Sequence, residues 1–300
     1  MNYKKIIRNQ DTRLQILKFL DFIPDELMVK LQYKIKTGHK LNLRNPQRYS
    51  EKIQWYKLFY RNPEMKKYVD KYLVREYLED KGLGHILNDL YGIYATPEEI
   101  NFQELPDEFI IKLTSGSGGN IIVKNKNNID QKVIIDQLNE WIEKRPGRVA
   151  GEWAYPEDSK IIIERLLERN IYDDLPDYKF FCFNGKVEYL YVMVDYVDNH
   201  EEGKCSFYTK DFEKLDYRRS EFEPIDYRLE KPINFDKMIE YAEILSEDFP
   251  HVRVDFYHSD HGEIIFGELT FYNGSGYTSF TPDKFDYILG DKFVLPRDSR

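Results

Sequence analysis

Arg253, Asp255 and Glu268 carry the clearest chemical signal in this chain. They lie in "VRVDFYHSDHGEIIFGEL", residues 252–269, where two apolar runs flank a polar turn and so read as a hairpin. Strand alternation puts Val252, Val254 and Phe256 on one face, and Arg253, Asp255 and Tyr257 on the other. With the turn centred between His261 and Gly262, Asp255 faces Glu268 and Arg253 faces Thr270. Like charges directly opposed, with Cβ atoms roughly 5 Å apart, destabilise a sheet unless something compensates. Two answers are open. A hard cation such as Mg²⁺ takes one or two protein carboxylates and completes its shell with phosphate and water. Otherwise the hairpin is an ion-pair face on which Arg253 neutralises Asp255.

A second stretch, "FIIKLTSGSGGNIIVK" (109–124), places Lys112 in a strand that enters a loop of Ser115, Gly116, Ser117, Gly118 and Gly119. Phe109, Ile111 and Leu113 share one strand face, and Ile110 and Lys112 the other. Small residues let backbone N–H groups approach a phosphate closely, and an ammonium nearby adds to the attraction. A plain hairpin whose lysine reaches for water fits the same residues. The spacing is that of neither a Walker loop nor a dinucleotide fingerprint.

These residues need elements to hold them. The first hundred positions read as helical: Leu14, Ile16, Leu17 and Leu20 at helix spacing, then a helix after Pro46 with Ser50 as N-cap. A third follows Asn62-Pro63, with Met65, Tyr68, Val69, Tyr72 and Leu73 as its stripe and Gly82 as its stop. Beyond residue 107 the pattern changes. The 109–124 hairpin precedes a helix carrying Val133, Ile134, Leu138, Trp141 and Ile142, then the buried strand "KIIIERLLE". Asn184-Gly185 joins two aromatic runs in "YKFFCFNGKVEYLYVMV", a strong hairpin signal. "KCSFYT", a helix around Met238 to Leu245 and the acidic hairpin complete an α+β chain.

The composition limits what such a chain does. With 41% hydrophobic residues, 19 Phe and 24 Tyr, it can bury a large core. A net charge of −9 argues against a general nucleic-acid binder, which needs a basic surface. Cys182 and Cys205 have no pairing or metal spacing and read as free thiols of a reducing compartment. Neither a signal peptide nor a membrane span is legible, so the expected location is cytoplasmic.

The order of these pieces resembles the ATP-grasp superfamily. More narrowly, "LNLRNPQRYSEKIQWYKL", "DKYLVREYL", "SGSGGNIIVK", "DYKFFCFNGK" and "GELTFYNGSG" resemble the TupA-like ATP-grasp family, associated with teichuronopeptide, capsule and other surface-polysaccharide synthesis. The resemblance covers roughly residues 30 to 280. It implies two α+β subdomains sandwiching a nucleotide behind a helical N-terminal segment. The divisions would be 1–65 (helical), 66–160 (glycine-loop subdomain), 161–290 (metal-hairpin subdomain) and 291–300 (tail).

It also implies ATP and Mg²⁺ as cofactors. Lys71 and Lys112 match the lysines on the α- and β-phosphates, and Ser115, Gly116, Ser117, Gly118 and Gly119 match the loop that closes over them. Glu164 matches the acceptor for the adenine amino group, with the backbone of Leu167 at the adenine edge. Asp255 and Glu268 match metal ligands, and Arg253 matches the basic group at the transferred phosphoryl. Apart from the resemblance, Lys179 among the aromatics of "DYKFFCF" is either a further phosphate contact or an edge lysine reaching for water. Two departures stand out: Ser115 replaces a frequent His, and Thr270 replaces the Asn that is the usual third metal ligand, leaving Asn273 as its substitute.

The implied activity is a carboxylate–amine ligase that forms an amide, a carbon–nitrogen bond, through an acyl phosphate. Lys112 and Arg253 would carry the catalysis. The implied substrates are a small carboxylate, such as a uronic acid or sugar nucleotide, and an amine, with polysaccharide-synthesis enzymes as partners and neither nucleic acid nor an integral membrane segment involved. A sugar kinase, a glycosyltransferase and a non-catalytic nucleotide-binding scaffold stay open beside it. Arg218 and Arg219 could grip an acidic sugar or decorate a loop. His251, His258 and His261 make no zinc set.

Overall fold

The computed structural model describes residues 20, 22–116, 119–143, 151–155, 158–196 and 203–296. The expected first helix at Leu14, Ile16 and Leu17 lies outside them. Two compact units emerge: residues 1–62, 147–153 and 169–300 in one, and residues 63–146 and 154–168 in the other.

The larger unit starts with α1 (Asp25–Thr37), which the sequence reading did not anticipate, and α2 (Tyr49–Phe59). Ser50 is not the cap of α2. The helix begins at Tyr49, and the Glu51 carboxylate takes the N-terminal amides instead, accepting from Asn42 at 3.0 Å, Gln47 at 2.9 Å and Arg48 at 3.2 Å. Ser50 donates its hydroxyl to Asp286 at 2.6 Å.

In the smaller unit the expected single helix after Pro63 is broken into α3 (Met65–Tyr68) and α4 (Val74–Asp80). Asp70 is the cause. Its Oδ1 accepts from the amides of Tyr72 at 2.9 Å and Leu73 at 3.0 Å, a local bond that competes with the helical ladder. Leu73 is therefore 47% exposed and not part of a packed stripe. The break leaves the Lys71 amide to bond Thr114 O at 2.8 Å.

Then come β1 (Leu90–Tyr94), β2 (Phe109–Leu113), β3 (Asn120–Val123), α5 (Gln131–Glu143) and β4 (Ile161–Glu164), forming an antiparallel sheet of order β1-β4-β2-β3. Phe109, Ile111, Leu113, Ile161 and Ile163 line its core face against Ile134 and Leu138 of α5. Val133, expected on that stripe, is exposed. Lys112 is on the opposite face, as alternation requires.

The larger unit resumes with β5 (Asp177–Phe183) and β6 (Lys186–Val194), joined by Asn184 (φ 50°) and Gly185 (φ 73°) in the left-handed turn that suits hairpins. β7 (Lys204–Thr209), β8 (Arg218–Arg219), α6 (Phe235–Ser246), β9 (His251–His258), β10 (Ile264–Thr270), β11 (Phe280–Thr281) and α7 (Lys284–Lys292) follow. The main sheet runs β10-β9-β5-β6-β7, all antiparallel, and β8 pairs with β11. On one face, fully buried Val252, Val254 and Phe256 pack with Phe180 and Phe235 toward α6. The other face carries Phe181, Phe183 and His251 against Tyr49 of α2. Beyond that aromatic layer, the same face holds the charges.

Candidate active site

Asp255 faces Glu268 and Arg253 faces Thr270, as the hairpin reading requires, but by a different route. Next to the turn, Ile264 pairs with His258 and Phe266 with Phe256, one residue out of the assumed register. Gly267 then bulges, and the extra residue restores it. A Cβ at Gly267 would lie 3.1 Å from Asp255 O, so the close approach favours glycine.

The two carboxylates are not left to repel each other, because Arg253 bridges them. Its Nε donates to Asp255 Oδ1 at 2.7 Å. Its Nη2 donates to Asp255 Oδ2 at 2.5 Å, Glu268 Oε1 at 2.9 Å and Thr270 Oγ1 at 3.0 Å. Nη1 reaches Asn273 Oδ1 at 2.5 Å and Tyr191 OH at 3.2 Å. Lys179, directly across from Asp255 in β5, donates to Asp255 Oδ2 at 2.6 Å and also pairs with Asp177.

The network is buried, with Asp255 1% and Arg253 6% exposed. Burial opposes the charge on Lys179 and Arg253. Asp177 and Asp255 outweigh it for the ammonium, Asp255 does so for the guanidinium, and both cations are held well above their ordinary values. Burial pushes the Asp177 carboxyl up against the pull of Lys179. Removing this many charges from water costs several kcal/mol per ion before any pairing is counted, on the order expected for buried ions. Stability alone is a poor reason to keep such a cluster, and functional sites are where perturbed groups gather.

The donor set suits a hard cation. Oxygens of Asp255, Glu268 and Thr270 converge on a single positive nitrogen, Arg253 Nη2, and the buried Asp177 Oδ1 has no hydrogen-bond partner. Mg²⁺ takes one or two protein carboxylates and leaves the rest of its shell to phosphate and water. Among the described residues no group of three or more His, Cys, Asp or Glu is arranged to hold a metal by itself. Asp255 and Glu268, with the Thr270 hydroxyl and the Asn273 amide oxygen, are therefore the groups that could contribute to such a site.

A second cluster sits in the smaller unit. Lys112 Nζ donates to Glu164 Oε2 at 3.0 Å, and Arg75 Nη1 lies 3.7 Å from Glu164 Oε1 while bonding Asn88 O at 3.0 Å. Lys71 Nζ donates to Gly116 O at 2.9 Å, which joins the helix break to the glycine loop. The Ser115 amide donates to Ser159 Oγ at 3.0 Å. Ser117 and Gly118 lie outside the described residues. Leu167 is half-buried just past the end of β4.

Asp177, Tyr191 and Arg75 escaped the sequence reading as site residues. Asp177 was legible in principle, since it precedes Lys179 by two and so shares its strand face. Tyr191 had no signal in a tyrosine-rich chain. Of the two adjacent arginines, Arg219 joins the site, donating to Tyr191 OH at 3.3 Å, while Arg218 caps Phe222 O at 2.6 Å.

A lysine strand with a small-residue loop in one unit, and an acidic hairpin ending the sheet of the other, make this an α+β protein of the ATP-grasp fold. The TupA-like ATP-grasp family matches residues 51–294, and the chain belongs to that family. Among solved structures it is similar to D-alanine–D-alanine ligase from Bacillus anthracis complexed with ATP (16% identity, 68% of this chain and 55% of that one, TM-score 0.41). It is also similar to biotin carboxylase from Campylobacter jejuni (15%, 78% and 48%, TM-score 0.46) and to L-amino acid ligase from Bacillus licheniformis (12%, 71% and 43%, TM-score 0.44). The chain spans about half the length of these structures. Comparison with curated protein sequences gives no match.

Proposed function

We propose that the protein is an ATP- and Mg²⁺-dependent carboxylate–amine ligase that builds an amide onto a sugar acid or sugar nucleotide for a surface polysaccharide, in the cytoplasm. One observation carries the reading: Asp255, Glu268 and Thr270 present oxygens to a single cationic point beside Arg253 and Lys179. Membership of the TupA-like ATP-grasp family supports it, and the two buried free thiols suit a reducing compartment.

In this reading Lys71, Lys112 and the 115–119 loop hold the α- and β-phosphates, and Glu164 and the Leu167 backbone meet adenine. Asp255 and Glu268, with Asn273 in place of the missing Asn, would hold the metal. Bound there, Mg²⁺ would offset the charge on the phosphate oxygens. A substrate carboxylate oxygen attacks the γ-phosphorus, ADP leaves, and an acyl phosphate forms. The amine then attacks the acyl carbon, loses a proton and expels phosphate. Arg253 and Lys179 stabilise negative charge on the transferred group, and no protein nucleophile is needed. Arg253 must loosen its hold on the carboxylates to do this. Two guanidinium groups converge on Tyr191 OH, and that makes Arg219 a candidate partner for the substrate carboxylate.

A screen of carboxylates against amines, read by ADP release and product mass, tests the assignment. An amide with stoichiometric phosphate is expected. A phosphorylated sugar, or ATP binding with no acceptor-dependent turnover, would overturn it.

A further inference from the structure

The charge of this chain is unevenly divided. Residues 1–50 carry eleven Lys and Arg against four Asp and Glu, a net +7, whereas residues 51–300 carry 33 against 49, a net −16. After Asp25 and Glu26 in the first turn of α1, no acidic residue occurs before Ser50, while Lys30, Lys34, Lys36, Lys40, Arg44 and Arg48 all fall there. Arg48 is spent internally on Asp283 and Asp286. Lys30, Lys34, Lys36, Lys40 and Arg44 are exposed, with Lys30 paired to Glu26 at 2.5 Å, Lys34 donating to Gly38 O at 2.7 Å and Lys36 lying 4.0 Å from the Tyr277 ring.

Helix α1 runs through this basic stretch with an unusual outer face. Met28, Val29 and Tyr33 point into the protein. Leu27, Leu31 and Ile35, each one helical turn from the last, are 58%, 49% and 41% exposed, and Phe22 just ahead of the helix is 76% exposed. At 100° per residue, Lys30 and Lys34 fall on the same outward arc, beside the leucines. A helix that is apolar on both sides while lysines line its outer edge has the makings of an interfacial helix. Its apolar stripe would enter the boundary of acyl chains and headgroups, with the lysines reaching phosphates through flexible stems.

We propose that α1 docks the protein on an anionic lipid bilayer as a peripheral, reversible contact. Charge complementarity selects this occupant. The basic stretch is attracted to anionic headgroups, and the remainder, at −16, is repelled by the same surface. Screening confines the attraction to groups within about 8 Å of the headgroups at physiological salt, so Lys30 and Lys34 beside the stripe count most and distant charges count little. No helix among the described residues is long and apolar enough to cross a membrane, so the contact is with the surface. The proposal does not depend on the ligase reading.

Cosedimentation of the full chain with vesicles tests it. The protein should pellet with phosphatidylglycerol-containing vesicles and stay in solution with phosphatidylcholine alone. Raising the salt should cut the bound fraction about tenfold, as screening predicts. Leu31→Glu/Ile35→Glu and, separately, Lys30→Glu/Lys34→Glu should each lose binding with an unchanged melting temperature, since these side chains are exposed. Failure to pellet with the anionic vesicles, equal binding to both vesicle types, or wild-type binding by the lysine double variant would overturn it. So would a wild-type dimer that Leu31→Glu/Ile35→Glu converts to monomer, because a second copy would then be what covers the stripe.

Discussion

Asp255 is the residue on which both clusters of argument meet, since it answers to two cations at once. Its Oδ1 and Oδ2 take Arg253, and Oδ2 also takes Lys179. Opposed carboxylates without compensation would gain apo stability when one is neutralised. The observed pairing reverses that sign. Asp255→Asn leaves two buried cations short of a carboxylate, and breaking a buried pair in this way costs about 3–5 kcal/mol. Glu268 has a side chain 38% exposed, so Glu268→Gln should cost less, about 1 kcal/mol after solvent screening. Urea unfolding of the metal-free proteins gives both numbers, and an Asp255→Asn protein as stable as wild type would remove Asp255 from the role of anchor. In the smaller unit, Lys112→Ala should weaken ATP binding by about 1.5–3 kcal/mol, the usual range for a bond to an ion. Titration calorimetry with a non-hydrolysable analogue decides this; equal affinity in a folded variant would leave Lys112 as no more than the partner of Glu164.

Elements explain which of these residues the sequence could place. Alternation was enough to put Lys112 opposite the Phe109–Leu113 face, and Asn184-Gly185 was enough to join β5 to β6. The expected pairing of Asp255 with Glu268 holds although the register next to the turn is one residue out, because the Gly267 bulge makes up the difference. Bulges leave little mark in a single sequence beyond a glycine. The break at Asp70 was missed for a related reason: a side-chain-to-backbone bond outcompeted a stripe that looked continuous. His251, which belongs to no zinc set, joins two elements. Its Nδ1–H donates to Cys182 O at 2.8 Å and its Nε2 accepts from Tyr49 OH at 2.9 Å, so the ring is neutral and fastens α2 to β9. Burial, against the Cys182 bond and aided by Arg253, pushes it to about 3 from the ordinary 6.5. The native state therefore refuses a proton that the unfolded chain accepts between those values. Stability from this group is complete above pH 6.5 and falls as the pH drops toward 3, by up to about 1.4 kcal/mol per pH unit. His251→Phe should lose about 1–3 kcal/mol at neutral pH, because Tyr49 OH is left buried without its acceptor. It should also lose less than wild type on acidification. Parallel stability curves for the two proteins between pH 6.5 and 4 would show that His251 is protonated in the fold (the interval follows from the shift to about 3).

At the scale of the whole molecule, family and fold class were readable because several short motifs kept their order over most of the chain. The acceptor site was not, since it depends on which side chains a specific substrate meets and no spacing encodes that. Nucleotide binding is the part that can be measured without knowing the substrate. A ligand that binds only the folded state stabilises it by RT ln(1 + [L]/Kd), about 2.7 kcal/mol at a hundredfold excess over Kd. For a chain of this size that is a rise in Tm of a few degrees, at the low end of about 2–4 °C per kcal/mol. In the proposed reading, ATP with Mg²⁺ should therefore raise Tm by more than ATP alone, because Mg²⁺ would draw on the oxygens that Arg253 Nη2 now gathers. Asp255→Asn should abolish the extra, metal-dependent part and keep most of the ATP-only part, since Lys112 and Glu164 lie in the other unit. Lys112→Ala should do the opposite and shrink the ATP-only shift. Should Asp255→Asn leave the metal-dependent part intact, the hairpin is an ion-pair face after all, and the metal, if one is used, is held by the phosphates without it.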